Sequence, residues 1–351
     1  MRVFASLMTI EIKYIFKFKK EQEIIEMSAA SARSERIPEE TLENLISSEN
    51  IRREVLDGLL QTPKRISPKY FYDEKGSELF DSITQLDEYY VPRIERSIFS
   101  DYSAAICAEM GQDCVLIEPG AGACEKVKWL LPDLAPAAYV PMDISAEFLQ
   151  KSAAGLRENY PDLTVLPLAF DHTQELSLEG DLPSGPAVFF YPGSSIGNFE
   201  PEDAVDFLKD LHNQIDDEGG LLIGVDTKKD PAVLHAAYND CEGVTAQFNL
   251  NVLSHLNDLL GGSFDEDKFE HVAFYNEEAG RIEMHLRSLV DHEVLLGGNQ
   301  LEFASGEMVH TEHSYKYRPE EFVGLAAEAG FHNKQIWQDD DKLFSVMYFT
   351  A

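Results

Sequence analysis

Two short segments place glycines beside polar side chains in a way that suits ligand chemistry. The first, Glu118-Pro119-Gly120-Ala121-Gly122-Ala123, ends an apolar run that starts at Cys114. Gly120 and Gly122 permit a tight turn and close backbone approach to a ligand, and a helix after the turn would offer free N–H groups. A dinucleotide fingerprint wants a third glycine where this chain has Glu125. Asp143 closes the next apolar run, 23 residues after Gly120, where a carboxylate can accept from both ribose hydroxyls. Asp171 closes the third and can accept from an adenine amino group. An acidic residue after each of the three runs (Glu118, Asp143, Asp171) suits a nucleoside without a pyrophosphate, S-adenosylmethionine rather than a nicotinamide dinucleotide. Aspartates at such junctions also cap helices, so both readings stand at this point.

The second segment runs from Tyr191 to Phe199, Tyr-Pro-Gly-Ser-Ser-Ile-Gly-Asn-Phe. Gly193 and Gly197 bend it, and the Asn198 amide offers a donor and an acceptor, fit for a substrate carboxylate. Asn198 can equally cap the helix that starts near Pro201. Upstream, residues 62–93 gather Tyr70, Phe71, Tyr72, Tyr89 and Tyr90 among Pro63, Pro68, Gly76 and Pro92. Most of these rings read as core, but tyrosines beside proline-rich turns also present phenols to ligands.

The elements that must position these groups follow from the periodicity. Residues 39–60 read as one or two amphipathic helices. From Cys114, five short apolar runs (the last ending at Thr227) alternate with helical stretches, including one expected after Cys124. That pattern predicts a parallel sheet covered on both faces, a doubly wound α/β domain with its ligands at the carboxyl ends of the strands. After Lys228 two helices, five strand-like runs, a helix and two closing strands follow. The expected organisation is a tail (1–30), a helical part of a substrate domain (36–100), a cofactor domain (101–228 and 316–351) and an inserted α+β substrate region (229–315).

Charge narrows the partners. With 29 Lys+Arg against 63 Asp+Glu the net charge is −34, which argues against nucleic acid and against an anionic membrane surface. Four cysteines without a C-x-x-C pair point to a reducing, cytoplasmic setting rather than a disulfide framework. No run approaches the length of a membrane-spanning helix. The basic first 26 residues lack the uninterrupted apolar region of a signal peptide, and Met27 is the expected initiator.

Five segments together resemble the histidine-specific methyltransferase family: residues 71–90, the glycine turn with Glu125 and Lys126, residues 193–199, residues 243–253 and residues 281–286. The resemblance runs from about Glu39 to the C-terminus. It implies a class I, Rossmann-like methyltransferase that carries three methyl groups from S-adenosylmethionine to the α-amine of L-histidine, releasing S-adenosylhomocysteine and hercynine, a step of ergothioneine biosynthesis. It further implies that Gly120, Gly122, Lys126, Asp143 and Asp171 surround the cofactor, with Tyr72 near the methyl donor. Asn198 and Tyr238 match positions that hold the substrate carboxylate, and Tyr89 and Met284 match positions at the ring. Glu312 and Ser314 match the pair that hydrogen-bonds the imidazole nitrogens, while Tyr72 and Asn198 would orient the amine.

Those residue types fit the chemistry. Imidazole is donor and acceptor, and a double donor when charged, so a Glu beside a Ser reads both edges. A growing cationic head is suited by tyrosine faces and by the absence of a nearby lysine. No metal is expected: His310 and His313, three residues apart on a strand, should point to opposite faces. The remaining histidines read as scattered. Pro119 departs from the family's usual glycine turn. A monomer is expected, and the alternative acceptors are another free amino acid or a small amine. A non-enzymatic S-adenosylmethionine-binding protein ranks lower.

Overall fold

The computed structural model describes residues 39–143, 145–169 and 183–351. Residues 1–38, where the tail and the expected initiator fall, lie outside it, as does Asp171. The chain divides into two compact units, 1–54 and 55–351. The described part of the first is the opening of helix α1 (Glu39–Leu60), which is one helix. Everything below concerns the second.

After α1 comes a two-residue strand β1 (Lys64–Arg65) and a 3-10 turn at Pro68–Phe71. Helix α2 (Glu74–Ile83) follows, capped by Asp73, whose carboxylate accepts from the Gly76 N–H at 2.7 Å. Helix α3 (Val91–Met110) starts at the favoured place for Pro92 and leads into the fully buried β2 (Val115–Pro119). The helix expected after Cys124 is only a 3-10 turn, Lys126–Trp129. Cys124 sits in the left-handed region (φ 56°), and Pro132 shortly afterwards biases the chain away from helix.

Strand β3 (Ala138–Asp143) and helix α4 (Ala146–Asn159) follow. Within the described residues the third run pairs at Val165 and at β4 (Leu168–Ala169); Pro167 between them cannot donate to a ladder, and β4 lies at the edge of its sheet. Next come β5 (Ala187–Tyr191), a 3-10 turn at Ser195–Asn198, α5 (Pro201–His212) and β6 (Gly220–Asp226). Helices α6 (Pro231–Tyr238) and α7 (Val244–Leu260) precede strands β7 (Phe269–Asn276), β8 (Arg281–Ser288), β9 (His292–Leu296), β10 (Asn299–Phe303) and β11 (Met308–Tyr315). The chain closes with α8 (Pro319–Glu328), β12 (His332–Gln338) and β13 (Phe344–Thr350).

Seven strands form one sheet in the order β12-β13-β6-β5-β2-β3-β4. The five from β6 to β4 run parallel, and β13 pairs antiparallel with β6. This is the doubly wound α/β sheet that the alternation predicts. Ile117, Val140, Phe189, Leu221 and Val225 pack with Leu208 and Leu211 of α5 and Phe322 of α8 on one face. On the other, Phe99 of α3 meets Phe190 edge-on at 5.8 Å. A second sheet, ordered β1-β11-β8-β7, is built mainly from the strands after Lys228. Among the described residues no helix is long and apolar enough to cross a membrane. All four cysteines are free thiols.

Candidate active site

The glycine turn is fixed from below. Gly120 and Gly122 hold φ of 73° and 52°, a region that favours glycine. The Gly122 N–H donates to Asp143 Oδ2 at 3.0 Å and the Ser145 N–H donates to Oδ1 at 3.1 Å. Asp143 thus ties the turn at the ends of β2 and β3, and its remaining lone pairs face outward from that tie. Glu118, the acid of the first run, is already spent: it is 2% exposed and accepts from the Tyr139 hydroxyl at 2.5 Å. Burial pushes its carboxyl up to about 8. That corrects the expectation of a ligand-facing acid after each strand.

Lys126 reaches Glu95 Oε2 at 2.8 Å, and Glu95 Oε1 accepts from the Gly193 N–H at 2.7 Å. Glu95, fully buried in α3, therefore couples the glycine turn to the loop after β5. Its signal in the sequence was a charge on the apolar face of α3, flanked by Val91, Ile98 and Phe99.

A cavity of about 80 Å³ is lined by Tyr72, Tyr89, Asn198, Tyr238, Met284, Glu312 and Ser314. The six residues expected around the substrate and Tyr72, expected at the methyl-donor end, thus line one space. They come from six separate parts of the chain: the loop before α2, the loop before α3, the turn after β5, the end of α6, and strands β8 and β11. Phe80, Thr245 and Phe248 also line it and were missed, since nothing but helical periodicity marks them. The tyrosines meet edge-on: Tyr89 and Tyr238 ring centres are 6.2 Å apart, Tyr72 and Phe248 5.8 Å. Burial, then the Glu312 charge, raises the Tyr238 phenol, so it stays protonated.

Met284 and Glu312 are a cross-strand pair of β8 and β11. Glu312 is 8% exposed, and desolvation pushes its carboxyl up to about 7 against the opposing pull of Lys316. Gly197 lies so close to β11 that a Cβ there would stand 2.7 Å from the Tyr315 carbonyl and 3.3 Å from Ser314 Oγ. Only glycine lets the Asn198 turn settle against Ser314.

Lys316 overturns the expectation that no lysine stands near the pocket. It is 1% exposed, donates to Ser314 Oγ at 2.8 Å and to the Tyr238 hydroxyl at 3.4 Å, and pairs with Asp226 Oδ2 at 2.8 Å. Asp226 also pairs with Lys229 and accepts from the Tyr90 hydroxyl at 2.9 Å. Burial first opposes the Asp226 charge, but Lys316 and Lys229 outweigh it and hold the carboxyl below its usual range. The Lys316 charge is thus partly compensated before it reaches the cavity. Alternation on β11 placed Lys316 beside Ser314 in principle; its partner Asp226, far along the chain, was not readable.

The histidines need a second correction. The register of β11 against β8 shifts between His310 and Glu312. With one extra residue in β11, His310 opposes His285 and His313 opposes Glu283, so all four lie on the face away from the cavity. His310 and His313 rings are 5.4 Å apart, not on opposite faces.

The profile of the family described as histidine-specific, S-adenosylmethionine-dependent methyltransferases matches residues 51–351. The chain belongs to this family. Histidine N-alpha-methyltransferase of Mycolicibacterium smegmatis is 40% identical over 300 residues, covering 84% of this chain and 92% of that protein. Ergothioneine biosynthesis protein 1 of Neurospora crassa is 30% identical, over 78% of this chain and 32% of its own length. An L-tryptophan methyltransferase of Psilocybe serbica is 27% identical, over 88% and 95%. The protein is therefore an S-adenosylmethionine-dependent N-methyltransferase with a Rossmann-like sheet. The glycine turn and Asp143 stand at the carboxyl ends of β2 and β3.

Proposed function

We propose that this methyltransferase transfers three methyl groups in succession from S-adenosylmethionine to the α-amine of L-histidine, giving hercynine for ergothioneine biosynthesis. The observation that carries the reading is that Glu312, Ser314, Asn198 and Tyr238 all line one small cavity. Glu312 accepts from one imidazole N–H and Ser314 meets the other nitrogen. A ring without those groups leaves a desolvated carboxyl unpaired. Asn198 and Tyr238 hold the α-carboxylate, Tyr89 and Met284 flank the ring, and Tyr72 and Asn198 orient the amine.

Each transfer is an in-line displacement: the amine lone pair forms the N–C bond as the C–S bond of the sulfonium breaks, and S-adenosylhomocysteine leaves. The amine is appreciably neutral near pH 8, so no strong base is required. The protein contributes position and exclusion of water. Gly120, Gly122, Lys126, Asp143 and Asp171 surround the cofactor, with Tyr72 at its methyl end. Residues 101–228 and 316–351 form the cofactor domain, and 36–100 with 229–315 the substrate-reading part. The enzyme acts as a monomer in the cytoplasm, without nucleic-acid or membrane partners.

Mass spectrometry of products from each proteinogenic amino acid tests this. Histidine alone should gain three methyl groups. The second reading, another free amino acid as acceptor, draws on the tryptophan-named relative; methylation of a different amino acid in preference to histidine would establish it and remove the assigned role of Glu312.

A further inference from the structure

On the face of the β1-β11-β8-β7 sheet turned away from the substrate cavity, Glu283, His285 and His310 each bring one donor atom within 4.8 Å of the others. His313 stands beside this trio, its ring 5.4 Å from that of His310. We propose that this cluster is a binding site for a divalent late-transition ion of the zinc class, separate from the methyl-transfer chemistry and not required by it.

Three observations support the site. First, the β-bulge after His310 is what assembles it. Regular alternation would turn His310 and His313 apart, and bulges re-aim side chains in this manner. Second, nitrogens of these rings are idle: His285 Nδ1, His310 Nε2 and both nitrogens of the neighbouring His313 are buried without a hydrogen-bond partner. Buried polar atoms are nearly always satisfied, so unpartnered nitrogens on the residues of one cluster call for a ligand. Third, two imidazoles and a carboxylate are the donor set that zinc-class ions take, at about 2.0–2.1 Å for nitrogen. From their present spacing the donors need to move inward by less than about 1 Å each to reach that distance.

The neighbouring charges permit a cation. Arg281 Nε donates to Glu283 Oε1 at 2.8 Å, but the same guanidinium is also bound by Glu200 Oε1 at 2.8 Å, so the group Glu200, Arg281, Glu283 is net negative. Glu283 Oε2 remains directed at the histidines, 3.7 Å from His285 Nε2. Burial lowers the basicity of His285, His310 and His313 first, which keeps their rings neutral and their lone pairs available. A bound ion would clamp β8 to β11 at the bulge. Met284 and Glu312 are a cross-strand pair beside that clamp, on the opposite face.

The test uses the tag-free, metal-stripped full chain. Calorimetric titration with Zn²⁺ should show one saturable equivalent, weakened about tenfold or more in His285→Ala and in His310→Ala. Zn²⁺ should raise the thermal midpoint of the wild type and of Cys241→Ser, and should not raise that of the histidine variants. Methyl transfer by the stripped histidine variants should stay at the wild-type level. If a variant fails to fold, the Co²⁺ spectrum of the wild type decides: d–d bands without a thiolate charge-transfer band support nitrogen and oxygen ligation. Absence of saturable binding, unchanged affinity in both variants, or a thiolate band would overturn the site.

Discussion

Glu312, the residue proposed to read the imidazole, is also a buried carboxyl that burdens the fold. Its carboxyl titrates near 7 in the folded protein against 4.5 for an ordinary glutamate, so folding favours the protonated form. The stability linked to it is complete below about pH 4.5 and is lost as pH rises through about 7. The substrate-free Glu312→Gln protein should therefore melt higher than wild type at pH 8, by up to about 3 kcal/mol, and gain little at pH 4.5. The same variant should raise KM for histidine about tenfold to a hundredfold, since it loses a charge-assisted hydrogen bond. An unchanged melting difference across pH would remove the buried-charge account. Lys316 makes the complementary case. Lys316→Met strips Ser314 and Tyr238 of a donor and leaves Asp226 with one lysine partner. Denaturant unfolding should show a loss of about 3 kcal/mol, with a raised KM for histidine and a smaller change in kcat. Glu312, Ser314 and the tyrosines were expected at one site through resemblance to a family, and they line one cavity; Lys316 was not expected there, because a lysine's charge can be judged only with its partner in view.

At the scale of elements, the long apolar runs and the amphipathic helices follow the sequence pattern closely, as with Gly220–Asp226 and Val244–Leu260. Proline marks the irregular places: Pro167 interrupts the ladder of the third run, and an expected helix ahead of Pro132 is only a 3-10 turn. The bulge in β11 was invisible, because period-two alternation carries no mark of an inserted residue until the partner strand is known. The turn Ser195–Asn198 depends on packing of the same kind. Gly197→Ala would drive a methyl group into the Tyr315 carbonyl and Ser314, displacing the neighbouring Asn198. The expected result is a loss of about 1–3 kcal/mol in stability together with a raised KM for histidine, measured by denaturant melts and initial rates. Wild-type kinetics in a folded Gly197→Ala protein would show that the turn does not set the site.

Across the whole molecule, a net charge of −34 makes self-repulsion a constant load on the compact state. Raising KCl from about 0.1 M to about 1 M shortens the screening length from roughly 10 Å to 3 Å, and the thermal midpoint should rise with it. A midpoint that falls or stays level would mean that specific ion pairs such as Lys64–Glu307, at 2.5 Å, outweigh the general repulsion. The sequence by itself determined the α/β class and the position of the glycine turn, because periodicity and glycine placement are local properties; Tyr238, Glu312 and Ser314, which line the cavity, were named only through the family resemblance. Tertiary structure alone decided which groups neutralise one another: Glu118 with Tyr139, Glu95 with Lys126 and Gly193, Lys316 with Asp226, and the histidines gathered by the bulge. Pairing of that kind depends on distances between residues remote in the chain, and burial then sets what each pair is worth.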